Sequence, residues 1–175
     1  FLFSDFSHGK ILALIIFIIA SITDVLDGKI ARKYNLISKF GIFFDPLADK
    51  ILILSAFYAF MFIPILSTAV KLWMIILISF RDIVVTTLRT ILQYKGVTMI
   101  TSKVGKIKTT LQLITIHLIL IFLIIQSYSI ILPFNILYNY SLYFFMVVTT
   151  IITFYTGVHY FLYNYKTLGN VILKK

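Results

Sequence analysis

The chain contains no cysteine and no glutamate. Without cysteine, disulfides, thiolate catalysis and cysteine metal sites are excluded. Without glutamate, six aspartates are the only acidic side chains, and they face 16 Lys and Arg for a formal net charge of +10. The sequence also lacks a P-loop, a Rossmann glycine pattern and a Ser-His-Asp arrangement, so these nucleotide-binding and hydrolase classes are not indicated. Any catalytic chemistry must therefore be sought among a few aspartates and many cations.

Apolar residues dominate what is present. They make up 61% of the chain, and the mean hydropathy is +1.03, values typical of a membrane protein with several spans. We predict a single all-α domain over residues 1–175, a polytopic membrane helix bundle, because no linker is long enough to divide the chain. His117 and His159 lie in apolar stretches, where a structural role is expected. Five spanning helices are predicted, at about Lys10–Tyr34, Gly41–Ile63, Ala69–Tyr94, Val104–Ser127 and Tyr138–Tyr165.

The basic residues are distributed unevenly across these spans. Alternating the helices through a bilayer leaves only Lys10 and Lys71 on one side and places the other Lys and Arg residues on the opposite side. By the positive-inside rule the crowded side is cytoplasmic. We interpret the charge as a surface for anionic membrane lipids, since no nucleic-acid-binding motif accompanies it. The expected location is the bacterial inner membrane, or the mitochondrial inner membrane if the source is eukaryotic.

The acidic residues concentrate in one segment, residues 24–49, which we call the aspartate stretch. At about 100° per residue, Asp24 and Asp27 share one helix face, and Asp45 and Asp49 share a face of a second helix. Two such helices facing each other would bring four carboxylates together, and these would repel one another unless cations bind. Hard oxygen ligands suit Mg²⁺, so we predict a site for one or two divalent ions. Small residues that leave room for a phosphorylated ligand share these faces: Gly28, Ala31 and Gly41.

The spacing Asp24-x2-Asp27-Gly28-x2-Ala31-Arg32-x8-Gly41-x3-Asp45-x3-Asp49 resembles the full signature of the CDP-alcohol phosphotransferase family, without departure at any fixed position. The resemblance implies a membrane helix bundle in which two metal ions, Mg²⁺ or Mn²⁺ as a substitute, help to join a CDP-activated group to an alcohol with release of CMP. It also implies a homodimer and a further helix before the first one visible here. The implied metal ligands are Asp24, Asp27, Asp45 and Asp49, with Asp49 also the catalytic general base, and the implied nucleotide-binding residues are Asp27, Gly28, Ala31, Arg32 and Gly41.

The extension Asp45-Pro46-Leu47-Ala48-Asp49-Lys50 narrows the resemblance to bacterial phosphatidylglycerophosphate synthases and the related cardiolipin synthases. Cations inside membrane helices are costly, so those of the later helices need an explanation. A basic pocket beside a metal site suits a substrate that carries its own phosphate, to which arginine offers a bidentate fork. Arg81-Asp82-x6-Arg89 followed by Gly105-Lys106-x-Lys108-Thr109 is similar to the corresponding segments of phosphatidylglycerophosphate synthases. This resemblance implies glycerol 3-phosphate as that acceptor and CDP-diacylglycerol as the donor, giving phosphatidylglycerophosphate and CMP. The expected acceptor-binding residues are Arg81, Arg89, Lys106 and Lys108.

Other interpretations stay open at this point. The basic residues, above all Lys95, Lys103 and Arg89, could meet lipid headgroups only. The acceptor could instead be phosphatidylglycerol, inositol phosphate or serine. Outside the enzymes, the carboxylates could form the cation site of a transporter, since acids within membranes often mark ion paths. A location at one membrane face beside a basic pocket favours the enzyme, whereas metal flux without CMP release would favour the transporter.

Overall fold

The computed structural model describes residues 2, 7–33, 39–94, 103–128 and 135–173, with side chains described for 2, 8–23, 26, 50–93, 105–128 and 139–165. The described chain is helical almost throughout, as predicted. A short 3₁₀ turn, Pro64–Leu66, follows the second helix. The α-helices of the described chain are α1 (Ser7–Lys33), α2 (Lys39–Met61), α3 (Leu72–Tyr94), α4 (Lys103–Ser127) and α5 (Asn135–Leu173).

The predicted boundaries hold to within a few residues, with two informative differences. Helix α3 begins at Leu72 and not at Ala69, because the amides of Ala69 and Val70 donate to Leu66 O in a turn that follows the proline. Helix α5 continues to Leu173, well past the predicted end at Tyr165. With 39 residues it is longer than the roughly 20 that a bilayer core requires.

Within the part of the chain whose side chains are described, two segments are long and apolar enough to cross a membrane by length and composition, Gly105–Ser127 of α4 and Asn139–Tyr165 of α5. The apolar parts of α1 and α2 within the described side chains, His8–Thr23 and Lys50–Met61, are shorter. Spanning by α1, α2 and α3 therefore stays a prediction, and the expected additional N-terminal helix lies outside the described residues.

An apolar core fills one end of the bundle. It includes Phe57 and Phe60 of α2, Met74 of α3, Ile119 of α4 and Met146 of α5, all with no exposed surface. Large apolar side chains also cover the outside of the helices, as expected where lipid replaces water. Because lipid tails are as apolar as these side chains, close van der Waals packing stabilises such a core more than the hydrophobic effect does.

Buried polar residues fill the opposite end. Thr115 of α4 and Thr149 of α5 are hydrogen-bonded across the helix interface at 2.8 Å. Helices α3 and α5 run towards the polar end and α4 runs away from it. The directions of these helices therefore alternate, as successive membrane spans require. Further buried polar side chains at this end are Ser79, Asp82, Thr90, Lys108, Gln112, Thr153, Thr156 and Asn164.

Candidate functional site

A buried carboxylate, Asp82 of α3, forms the centre of the polar end. Its Oδ1 accepts hydrogen bonds from Lys108 Nζ at 2.5 Å and from Arg81 Nη1 at 3.1 Å. Its Oδ2 accepts one from Gln112 Nε2 at 3.1 Å. We call these four residues the Asp82 cluster. Asp82 and Gln112 have no exposed surface, Lys108 has 1%, and the Arg81 side chain has 12%.

Local sequence explains how the cluster forms. Arg81 and Asp82 are neighbours on α3, while Lys108 and Gln112 are four residues apart and therefore share one face of α4. An ionised carboxylate inside an apolar helix is strongly unfavourable unless cations and hydrogen-bond donors surround it. The packing of α3 beside α4 supplies those partners. Two positive charges, on Arg81 and Lys108, against one negative charge on Asp82 leave the cluster with a formal charge of +1.

The middle of α2 borders this cluster. Lys50 lies close enough to Lys108 for the two positive charges to repel each other. Lys50 directly follows Asp49, the last residue of the aspartate stretch. The backbone of α2 therefore brings the end of the aspartate stretch to the side of the bundle that contains the buried cations.

The four residues expected to bind the acceptor phosphate fall into two groups. Arg81 and Lys108 meet at the Asp82 carboxylate. Lys106 is exposed, because it lies two residues from Lys108 and therefore on a different face of α4. Arg89 is exposed two turns beyond Arg81, within electrostatic range of Tyr160 of α5. The structure thus joins two of these cations in one buried cluster and leaves the other two at the surface.

The aspartate stretch occupies helical backbone on both of its sides. Asp24 and Asp27 lie in the second half of α1, and Asp45 and Asp49 lie in the first half of α2. Their side chains lie outside the described part of the structure, as do the expected nucleotide-binding positions, Gly28, Ala31, Arg32 and Gly41. Among the side chains that are described, no group of three or more His, Cys, Asp or Glu could hold a metal ion. The metal and nucleotide assignments therefore stay predictions.

Sequence reasoning missed the central position of Asp82 and the role of Gln112. A signal was present, since a lone aspartate in an apolar helix requires partners. Gln112 also lies one turn from Lys108 on the same face.

The two histidines of the apolar helices have the surroundings that a structural role requires. His117 Nδ1 lies 2.7 Å from Leu113 O, and its ring packs edge-on against Phe17. His159 lies between two tyrosine rings of the same helix and is stacked with Tyr163.

Comparison with known proteins identifies the class. Residues 1–155 match the family model of the CDP-alcohol phosphatidyltransferases. Because this match covers most of the chain, the protein belongs to that family, as the spacing of the aspartate stretch predicts.

Three relatives have names that denote the same activity. The CDP-diacylglycerol–glycerol-3-phosphate 3-phosphatidyltransferase of Bacillus subtilis is 43% identical over 107 residues, which are 61% of this chain and 53% of the relative. The enzyme of the same name from Rickettsia felis is 36% identical over 115 residues, 66% of this chain and 61% of the relative. A probable phosphatidylglycerophosphate synthase of Mycobacterium tuberculosis is 39% identical over 112 residues, which are 64% of this chain and 51% of the relative. The chain spans about half to three-fifths of the length of these curated relatives.

Proposed function

We propose that this protein transfers a phosphatidyl group from CDP-diacylglycerol to glycerol 3-phosphate, giving phosphatidylglycerophosphate and CMP. The names of its relatives support this substrate pair. The observation that carries the proposal is the position of the Asp82 cluster, whose formal charge is positive, beside Lys50 at the end of the aspartate stretch. A nucleotide-binding aspartate stretch and an anion-binding pocket would then share one end of the bundle.

The Asp82 cluster suits an acceptor that carries a phosphate group. Arg81 uses Nη1 to reach Asp82, while its Nε is buried without a hydrogen-bond partner in the described part of the chain. A guanidinium with a free donor can bind phosphate oxygens in a fixed geometry. The nearby charge of Lys50 adds to the attraction for an anion. Asp82 holds both Arg81 and Lys108, and Lys108 contributes positive charge.

The proposed reaction breaks one phosphorus–oxygen bond and forms another. The acceptor hydroxyl oxygen attacks the lipid-bearing phosphorus of CDP-diacylglycerol. The bond from that phosphorus to the bridging oxygen of the diphosphate breaks, and CMP leaves with the bridging oxygen. Asp49 accepts the proton of the attacking hydroxyl as general base. Arg81 binds the acceptor phosphate, with the charge of Lys108 nearby, so that the hydroxyl points towards phosphorus, which replaces a random encounter with an oriented one.

The aspartates fit a pair of Mg²⁺ ions. Asp24 and Asp27 are three apart on the continuous helix α1, and Asp45 and Asp49 are four apart on α2, so each pair shares a face. Carboxylate oxygens are the donors that Mg²⁺ prefers, and Mn²⁺ accepts the same ligands. When bound, such ions neutralise charge on the diphosphate and on the departing CMP.

The proposed location is the inner membrane of a bacterium, with the active site facing the cytoplasm. The polar end of the bundle holds Lys50, Arg81, Arg89, Lys106 and Lys108, while Lys71 lies before α3 at the opposite end. This asymmetry supports the orientation through the positive-inside rule. The homodimer implied by the family resemblance stays a prediction.

The test is CMP release by the full-length protein in detergent with Mg²⁺ and CDP-diacylglycerol, with and without glycerol 3-phosphate. We expect release that depends on glycerol 3-phosphate and yields phosphatidylglycerophosphate. Release with phosphatidylglycerol, inositol phosphate or serine alone would overturn the acceptor assignment. If no alcohol supports release, the transferase proposal fails, and metal flux into proteoliposomes would then favour the transporter.

A further inference from the structure

Gly157 lies in the interior of α5, where a glycine is unfavourable. It costs about 1 kcal/mol relative to alanine in a helix, so its presence at a buried position points to a packing requirement. At this level α5 packs against α3. A Cβ atom built on Gly157 would lie 2.8 Å from Arg81 Cγ, 3.7 Å from Arg81 Nε and 3.8 Å from Arg81 Cδ. The stem of the Arg81 side chain therefore crosses α5 where α5 has no side chain.

The contact leaves Arg81 little freedom to adjust. A carbon–carbon separation of 2.8 Å is far below the 3.5–4.0 Å of favourable contact. The atom concerned is Cγ, close to the backbone, so rotating only the far end of the arginine would not relieve it. Any adjustment must begin near Cβ and would carry the guanidinium away from Asp82. With only 12% of the Arg81 side chain exposed, there is little open space to receive it.

We propose that Gly157 is a positioning residue for the anionic acceptor, because its missing side chain lets Arg81 cross α5 and present its guanidinium beside Asp82 and Lys108. The inference rests on the proposed function for the identity of the acceptor. It assigns to α5 a part in acceptor binding, although Gly157 itself contacts no substrate. A larger residue at 157 would displace the arginine without removing a charge.

A second helical glycine provides a matched control. A Cβ on Gly105, in the first turn of α4, would meet nothing within 4 Å. Gly105→Ala and Gly157→Ala add the same methyl group to a helix. Only the second brings that methyl group against Arg81.

The experiment measures KM for both substrates with the full-length protein in detergent and Mg²⁺. Gly157→Ala is expected to raise KM for glycerol 3-phosphate roughly tenfold or more, the loss typical of a displaced charge-assisted hydrogen bond. KM for CDP-diacylglycerol should change less than about twofold, and Gly105→Ala should change neither value. An unchanged acceptor KM in Gly157→Ala would overturn the inference. Equal increases for both substrates would also overturn it, because they would indicate a general packing defect.

A double-mutant cycle separates an effect through Arg81 from damage to α5. Alanine at position 81 has no Cγ, so in an Arg81→Ala background Gly157→Ala should not raise the acceptor KM further. The same cycle applied to the thermal midpoint needs no activity: Gly157→Ala should lower the midpoint when Arg81 is present and raise it slightly, through the better helix propensity of alanine, when Arg81 is absent. Additive effects in either cycle would refute the positioning role.

The experiments distinguish a failure of the proposed function from a failure of the positioning role of Gly157. If another alcohol supports CMP release, the proposed acceptor is wrong, and the KM cycle is repeated with that alcohol, where coupling between Gly157 and Arg81 is still expected. If no alcohol supports release, the proposed function fails and the positioning role for an acceptor fails with it, whereas the thermal cycle still decides whether Gly157 holds Arg81 in place.

Discussion

Lys108 Nζ of α4 lies 2.5 Å from Asp82 Oδ1 of α3, and both side chains are almost completely buried. The two residues are 26 positions apart in the sequence. Either charge alone would be costly inside an apolar bundle, and each charge offsets part of the desolvation cost of burying the other. The pair therefore links two helices at the end of the bundle where the proposed acceptor binds.

Removing one member of this pair should destabilise the fold. We expect Lys108→Met to lower the free energy of unfolding by about 3–5 kcal/mol, because it leaves the Asp82 carboxylate buried with fewer partners. Reversible unfolding in mixed detergent micelles measures the change. Lys106→Met, at an exposed position of the same helix, should cost less than about 0.5 kcal/mol. Adding Asp82→Asn to Lys108→Met should recover part of the loss, and no recovery would contradict the pairing.

Arg81→Ala should affect the two substrates differently. We expect KM for glycerol 3-phosphate to rise by about tenfold to a hundredfold, as loss of hydrogen bonds to a charged group predicts, with a smaller change for CDP-diacylglycerol. Arg81→Lys keeps the charge but not the guanidinium fork, so its KM should be intermediate. Steady-state kinetics of CMP release measures both values. Lys71→Ala, an exposed cation before α3, serves as the control, and a similar effect there would argue against a specific acceptor site.

Asp49→Asn tests the proposed general base. Asparagine keeps the size of the side chain but cannot accept a proton, so turnover should fall by about 10²–10⁴-fold. Binding of the CDP group should persist, which equilibrium binding of a labelled cytidine nucleotide can measure. Turnover equal to that of the unmodified protein would show that Asp49 is not the general base. If nucleotide binding is lost together with turnover, the role of Asp49 as a metal ligand dominates.

The hydrogen bond between Thr115 and Thr149 should contribute modestly to stability. Such bonds between membrane helices contribute about 0.6 kcal/mol on average and rarely more than about 1.7 kcal/mol. Thr115→Val and Thr149→Val should each cost an amount in this range, and the double variant should cost less than the two together because both partners are then apolar. Thr110→Val is a matched change at an exposed threonine, whose hydroxyl donates to Lys106 O of its own helix. Strict additivity of the two buried changes would show that the bond is not formed.

Much of the fold could be predicted because the relevant patterns are local. Apolar stretches that are interrupted by polar turns located α1 to α5, and the start of α4 at Lys103 was expected within one residue. The turn around Pro64–Leu66 was harder to predict, because its hydrogen bonds decide where α3 can begin. The length of α5 was underestimated because helical backbone can continue after the apolar pattern of a membrane span has ended.

The sequence by itself determined the helical class, the family and the spacing of the four aspartates, since these depend on the order of residues along single helices. Only the tertiary structure decided that Lys108 and Gln112 meet Asp82, that Lys106 does not, and that Arg81 crosses α5 at Gly157. The physical reason is that contacts between helices depend on their rotation and relative height, which close packing of the whole bundle decides. Periodicity shows which residues share a face, whereas packing decides what that face meets.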